Sequence, residues 1–316
     1  MKGIFLIERW RRVGFFVFFL LLLSLSLQPS DNSAASAPTK LRVVTTILPL
    51  QEFARAVCGE RGEVDLLIPP GVDIHSWSPR PSDIHRLARA DCLVYIGRHL
   101  EPWVKDITGS LSTSRLRLIE AAQVIDDSSG RFSSSGKTEA RADPHLWLDL
   151  ELDQRIVDLL VRVFSELLPQ EADYFRQNGT IYQHRLAELD QLYFQSLKDC
   201  QSRTFIVGGH AAYGFLARRY GLTQLALTGV NPEAQPSSLS FLKIVKRLKK
   251  EKVRVIFVEP FSSPRMAQTL ARETGAEIIP LNPGVFLPPE EKTGPWPFLS
   301  IMKDNLEKLK YALGCR

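Results

Sequence analysis

Leu41-Arg42-Val43-Val44-Thr45-Thr46-Ile47-Leu48-Pro49-Leu50-Gln51-Glu52-Phe53-Ala54-Arg55-Ala56-Val57 sets the rhythm of most of the chain. Leu41–Thr46 is a short β-branched run, the composition of a strand. From Pro49 to Val57 the apolar period changes, and Leu50, Phe53, Ala54 and Val57 share one helical face. The alternation continues. Val64–Ile68, Cys92–Ile96 and Leu116–Glu120 are expected strands, with helices at Ser82–Arg89 and Glu101–Ser110. Strands separated by helices at this spacing imply parallel βαβ units.

After a Ser-rich polar loop from Asp126 to Ala142, the pattern is helical over 151–199, broken near Pro169. The second piece, Gln170 to Lys198, places Tyr174, Ile181, Leu186, Leu189 and Leu192 near helical spacing. It would span about 43 Å, too long for the flank of one small domain. The βα rhythm then resumes. Strands are expected at Arg203–Val207, Thr223–Leu227, Arg254–Val258 and Glu277–Ile279, and helices near Ala211–Arg219, Ser237–Lys250, Pro264–Glu273 and Phe298–Leu313. The expected fold is α/β: two lobes, each a parallel sheet flanked by helices, joined by one long helix. The divisions are 41–168, 169–200 and 201–316.

Residues 1–37 have the order of a secretory signal: Lys2, Arg9, Arg11 and Arg12, then the apolar run Val13–Leu23, then small residues at Ser33–Ala37. The apolar run is shorter than the ~20 residues of a spanning helix, although retention as an N-terminal anchor is the alternative to cleavage. The expected location is therefore the periplasm, or the extracytoplasmic face of the membrane. Export places Cys58, Cys92, Cys200 and Cys315 where disulfides persist. Three pairings exist, and Cys200 with Cys315 is favoured because both lie at the edges of the second lobe; buried free thiols are the alternative.

The formal net charge is +5 over 316 residues, and residues 1–37 hold four of the basic and two of the acidic side chains. No basic block interleaved with aromatics follows, which argues against nucleic acid as a partner. The run Lys246-Arg247-Leu248-Lys249-Lys250 fits a solvated helical face.

Six histidines occur. His75 follows the Val64–Ile68 strand through Pro69-Pro70-Gly71-Val72-Asp73-Ile74. His210 follows Phe205-Ile206-Val207 through Gly208-Gly209. His145 follows the Ser-rich loop. Ligands of open α/β sheets bind beyond the carboxyl ends of strands, where Glu259 and Asn282 also lie. Three neutral imidazoles with one further position suit tetrahedral Zn²⁺. His85 and His184 sit on polar helical stretches. His99 follows a strand and is a further candidate. The same three imidazoles would also serve a zinc hydrolase, but no HExxH occurs and Glu259 is the one evident candidate base.

Several segments, in order, resemble the metal-binding subunits of zinc and manganese ABC importers, the cluster A-I solute-binding proteins. They are Val43-Val44-Thr45-Thr46-Ile47-Leu48-Pro49-Leu50, Pro69–His75 with Pro81-Ser82-Asp83-Ile84, Asp143-Pro144-His145-Leu146-Trp147-Leu148-Asp149, Gly229-Val230-Asn231-Pro232-Glu233 and Val258-Glu259-Pro260. The resemblance runs from about residue 41 to the end. It implies a non-enzymatic, monomeric binding protein that carries Zn²⁺ as transported ligand to the membrane permease subunits of an importer. It matches His75, His145 and His210 to the family's first three ligands. Histidine as the third ligand points to zinc, with Mn²⁺ or Fe²⁺ as the alternative cargo. The family's frequent fourth ligand, the Asp of a strand-end Leu-Asp-Pro, corresponds here to Asn282 in Leu281-Asn282-Pro283. Water, Glu259 or Asn282 is left to fill that position. The His-rich loop of many zinc-type relatives is missing, since Asp126–Ala142 contains no His.

Overall fold

The computed structural model describes residues 40–110, 116–125, 142–230, 237–251, 253–260, 263–287 and 294–316. The segment expected to be an export signal (1–37), the Ser-rich stretch from Asp126 to Arg141, and Asn231-Pro232-Glu233 lie outside the described residues.

Strands β1 (Leu41–Thr45), β2 (Gly62–Leu66), β3 (Cys92–Tyr95) and β4 (Arg117–Glu120) form one parallel sheet in the order β2-β1-β3-β4. Strands β5 (Thr204–Val207), β6 (Thr223–Ala226), β7 (Val255–Val258) and β8 (Glu277–Pro280) form a second in the order β6-β5-β7-β8. The two halves thus repeat one topology, although the sequence shows no close repeat. Crossover helices cover the sheets. In the first lobe they are α1 (Leu48–Cys58), α2 (Pro81–Arg89) and α3 (Trp103–Ser110). Between the sheets run α4 (Leu150–Leu167) and α5 (Ala172–Leu197). The second lobe has α6 (Gly214–Arg219), α7 (Ser238–Glu251), α8 (Arg265–Thr274) and α9 (Pro297–Leu313). Central strands covered on both faces have no polar side to show, which accounts for runs such as Cys-Leu-Val-Tyr in β3 and Val-Ile-Phe-Val in β7.

The long helix is 26 residues, about 39 Å, and starts after a 3₁₀ turn at Pro169–Glu171 rather than at Gln170. Its buried stripe is Phe175, Gly179, Tyr182, Leu186, Leu189, Tyr193 and Leu197. Two residues expected on that stripe are not there: Ile181 and Leu192 are exposed. The sequence offers apolar residues on both sides of this helix, and only the side facing α1, α4 and α9 has partners. Gly179 is required by close packing, because a Cβ there would lie 2.4 Å from Val161 Cγ2 of α4.

One continuous apolar cluster crosses from lobe to lobe. Phe53 of α1 meets Phe298 of α9 edge-on at 5.4 Å and Tyr182 of α5 at 5.8 Å. A buried carboxylate reinforces the junction. Glu52 accepts the Tyr182 hydroxyl at 2.6 Å, the Phe298 N–H at 2.6 Å and the Leu299 N–H at 3.4 Å. A carboxylate of α1 therefore satisfies amides at the N-terminus of α9, where the helix leaves N–H groups without partners of its own. Burial nevertheless pushes Glu52 up to about 7, against the lowering effect of those hydrogen bonds. An apolar interface of this kind resists rotation of one lobe against the other.

Cys200 and Cys315 are disulfide-bonded, tying the end of the spine to the chain terminus, whereas Cys58 and Cys92 are buried free thiols. The basic run of α7 is solvated as expected: Leu248 is buried while Lys246, Arg247, Lys249 and Lys250 are exposed. Among the described residues, no helix is long and apolar enough to cross a membrane.

Candidate metal centre

Each sheet ends in loops at the carboxyl ends of its strands, and three histidines meet there. The loop after β2 carries His75. Its turn is built by Asp73, whose Oδ1 accepts the His75 N–H at 2.9 Å and whose Oδ2 accepts the Ser76 hydroxyl at 3.1 Å. Gly71 supplies the left-handed residue (φ 85°) that the turn needs. His145 lies just before a short 3₁₀ segment, Leu146–Leu148, in the passage into α4. His210 lies two residues beyond Gly208, and the Gly208 N–H is bound to the Phe257 carbonyl of β7.

The ring centroids of the three are 5.1–5.2 Å apart in every pairing. Nε2 of His145 is 3.3 Å from Nε2 of His75 and 3.2 Å from Nε2 of His210. Zn–N bonds of about 2.0–2.1 Å at a tetrahedral centre put neighbouring nitrogens about 3.3 Å apart. Both separations from His145 fit that ion, and the ligand atoms of the three histidines all lie within 4.8 Å of one another. They form the one His/Cys/Asp/Glu cluster of this kind among the described residues.

Two carboxylates orient two of the rings. Asp143 Oδ1 is 2.9 Å from His145 Nδ1 and also accepts the His145 backbone N–H at 3.1 Å. Glu259 Oε1 is 2.6 Å from His210 Nδ1. A carboxylate at Nδ1 holds the proton there and leaves Nε2 as a lone-pair donor facing the centre. His75 is pushed down to about 3, first by burial and then by the neighbouring imidazoles, so it stays neutral and ready to ligate.

Of the two residues considered for the fourth position, Glu259 is held against His210 Nδ1, behind the ring. Asn282 is turned away. Its Oδ1 accepts the Gly284 N–H at 2.9 Å, and its Nδ2 donates to the Phe286 carbonyl at 2.5 Å. That strand end therefore contributes a structural amide rather than a ligand, because the Pro283–Phe286 turn uses the whole side chain. His99 is exposed and beside Arg98, away from the cluster; His85 and His184 are exposed on α2 and α5. Asp143 was not assigned a role from the sequence, although its position two residues before His145 is the available signal. Trp147 likewise bridges the lobes, its Nε1 donating to the Pro283 carbonyl at 2.6 Å.

Comparisons with known proteins place the chain as a whole. Residues 43–312 match the family model "Zinc-uptake complex component A periplasmic". The chain is 34% identical to the high-affinity zinc uptake system protein ZnuA of Bacillus subtilis, over 97% of this chain and 98% of that protein. It is 31% identical to the zinc-binding protein AdcA of Streptococcus pyogenes over 87% of this chain, yet spans only 56% of that longer protein. The Zn(II)-bound ZnuA-like domain of Streptococcus pneumoniae AdcA superposes with a TM-score of 0.72 at 30% identity, covering 87% of this chain and 99% of the domain. A match over most of the length, with the same two-lobed fold, shows that the chain belongs to the family of the periplasmic A component of zinc-uptake complexes.

Proposed function

We propose that the protein captures Zn²⁺ outside the cytoplasm with His75, His145 and His210, as a monomer, and delivers it to the membrane permease subunits of an ABC importer. The carrying observation is the cluster of three imidazoles, with Nε2 of His145 at 3.3 Å from that of His75 and 3.2 Å from that of His210, and two of the rings aimed by carboxylates at Nδ1. Three imidazoles favour Zn²⁺ over Mn²⁺, whose preferred ligands are carboxylate, carbonyl and water. Membership of a transport family sets aside the hydrolase alternative. Residues 41–168 and 201–316 act as the two jaws of the site, and 169–200 as a stiff spine between them. With an apolar junction between the lobes, zinc arrival moves the loops around the site more than the lobes themselves. Residues 1–37 direct export.

Isothermal titration of Zn²⁺ into chelator-treated protein tests this reading. His75→Ala, His145→Ala and His210→Ala each remove one of three nitrogens and should each weaken binding about a hundredfold or more, which is ~3 kcal/mol. His184→Ala, on the exposed face of α5, should not. Wild-type affinity in any two of the three site variants would end the triad assignment.

A further inference from the structure

Helix α7 is fixed to the second lobe by one face. Phe241, Ile244, Val245 and Leu248 join the apolar cluster of that lobe, and Leu248 is buried. The opposite face is made of residues three and four apart, which line up along a helix. Leu239, Lys243, Lys246 and Lys250 form one row, and Leu242 and Lys249 run beside it. All six are exposed. Leu239 and Leu242 are each 63% exposed. A single exposed leucine is ordinary on a protein surface; here two adjoin each other at the head of a row of cations.

The positive charge of the chain is concentrated on this helix. Of the net +5, residues 1–37 hold +2, with four basic and two acidic side chains. Helix α7, with five basic side chains and one acidic, holds +4. The rest of the chain is therefore at −1. Among the described residues, Lys249 is the one lysine of the four with a carboxylate partner, Glu273 at 3.7 Å, and both of those side chains are more than half exposed.

We infer that this face of α7 docks on a bilayer surface that carries anionic phospholipid, with the helix axis along the membrane plane. Such a surface is layered, with phosphate charge outside and acyl chains beneath. The lysines reach the phosphates with their charged heads. Leu239 and Leu242 enter the apolar boundary below, as the leucines of interfacial helices do. A soluble polyanion matches the lysines but gives the leucines nothing to enter. Membership of a periplasmic family places the chain where a membrane surface is within reach. The inference goes beyond zinc capture, because no residue of this face lines the cavity that holds the histidines. Docking would confine the protein to the plane in which a membrane importer is met.

The test reads α7 alone. Cys58 and Cys92 are buried and Cys200 is bonded to Cys315, so Ser238→Cys in the full chain gives one exposed thiol for a solvent-sensitive fluorophore. Vesicles of phosphatidylcholine mixed with phosphatidylglycerol should shift its emission to the blue, and vesicles of phosphatidylcholine alone should not. Each basic residue near an anionic surface contributes a factor of about five in affinity. Lys243→Glu combined with Lys246→Glu should therefore need at least about tenfold more lipid for the same shift. Leu239→Ser combined with Leu242→Ser should need several times more. Zinc affinity should be unchanged in both, which separates failure here from failure of the metal site. An equal shift with both vesicle types, or no shift with either, would overturn the inference, as would a shift undiminished by lysine reversal. A loss on lysine reversal with none on leucine replacement would overturn it in favour of a face for soluble polyanions. A shift seen with detergent-solubilised importer but not with lipid vesicles would give the face to the permease instead.

Discussion

Glu259 Oε1 lies 2.6 Å from Nδ1 of His210, so the carboxylate that follows β7 faces the back of the ring whose Nε2 is turned toward His145. An anion there fixes the tautomer and raises the basicity of Nε2. Glu259→Ala should lower zinc affinity about 10- to 100-fold. Glu259→Gln keeps an acceptor for Nδ1–H but loses the charge, and should fall in between. Competition titration against a chelator of known affinity measures both. Equal affinity in all three proteins would show that His210 needs no orienting partner.

Glu52 gives the fold a pH dependence whose sign can be stated. Its carboxyl is raised from 4.5 to about 7 in the folded protein, chiefly by burial. Between those values the folded state binds more protons than the unfolded one, so this contribution to stability is complete below about pH 4.5 and is lost as pH rises through 7. The total is on the order of 3 kcal/mol. His75 acts in the opposite sense, losing stability as pH falls from 6.5 toward 3. Comparison with Glu52→Gln cancels that effect. Urea unfolding of metal-free protein at pH 5 and pH 8 should show a smaller loss of stability toward pH 8 in the variant than in the wild type. Parallel pH profiles would mean that Glu52 ionises freely.

Gly179 sets two magnitudes against each other. Alanine is favoured over glycine in a helix by about 1 kcal/mol. Here its Cβ would meet Val161 Cγ2 at 2.4 Å, and a β-branched valine in a helix has little rotamer freedom to retreat. Overpacking costs about 1–3 kcal/mol. Gly179→Ala should therefore destabilise on balance, read as a lower midpoint in urea. A raised midpoint would show that α4 and α5 separate easily, and would count against a stiff spine.

How much was legible from the sequence depended on how local its cause was. Each of the eight strands is legible to within two residues at either end; the central ones are plainest, because a parallel strand covered on both faces must be apolar throughout, as Val255–Val258 is. The start of α5 was misplaced by two residues because the helical period does not distinguish an α-helix from the 3₁₀ turn at Pro169–Glu171. Its buried face differs from the expected one for a different reason. Ile181 and Leu192 are apolar, but whether an apolar side chain is buried depends on which neighbour arrives from elsewhere in the chain. His75 and His210 were marked by their strand-end loops. His145 is expected in such a loop too, but it lies just before the 3₁₀ segment that leads into α4. The assignment of Glu259 to a ring nitrogen rather than to the metal lies in a 2.6 Å contact between residues 49 apart, which no spacing along the chain encodes.

The last prediction concerns Asn282. Its side chain closes the Pro283–Phe286 turn from both ends: Oδ1 accepts the N–H groups of Gly284 and Phe286 at 2.9 and 3.4 Å, and Nδ2 donates to the Phe286 carbonyl at 2.5 Å. Its backbone is held in turn by Asn305, which accepts its N–H at 3.1 Å and donates to its carbonyl at 2.6 Å. The turn then presents the Pro283 carbonyl to Trp147 and lays Val285 and Phe286 along the cleft. Asn282→Asp keeps the acceptor but sets a carboxylate oxygen against the Phe286 carbonyl, where a donor is needed. Asn282→Ala leaves buried N–H groups without an acceptor. Each should cost about 1–3 kcal/mol of stability, measured by thermal or urea unfolding. A carboxylate at this position would favour Mn²⁺ only if it touched the metal. Since the side chain faces its own turn, Asn282→Asp should leave the ratio of Zn²⁺ to Mn²⁺ affinity unchanged in competition titrations. A variant of undiminished stability whose preference shifts toward Mn²⁺ would mean that the side chain swings into the cleft and completes the metal's coordination after all.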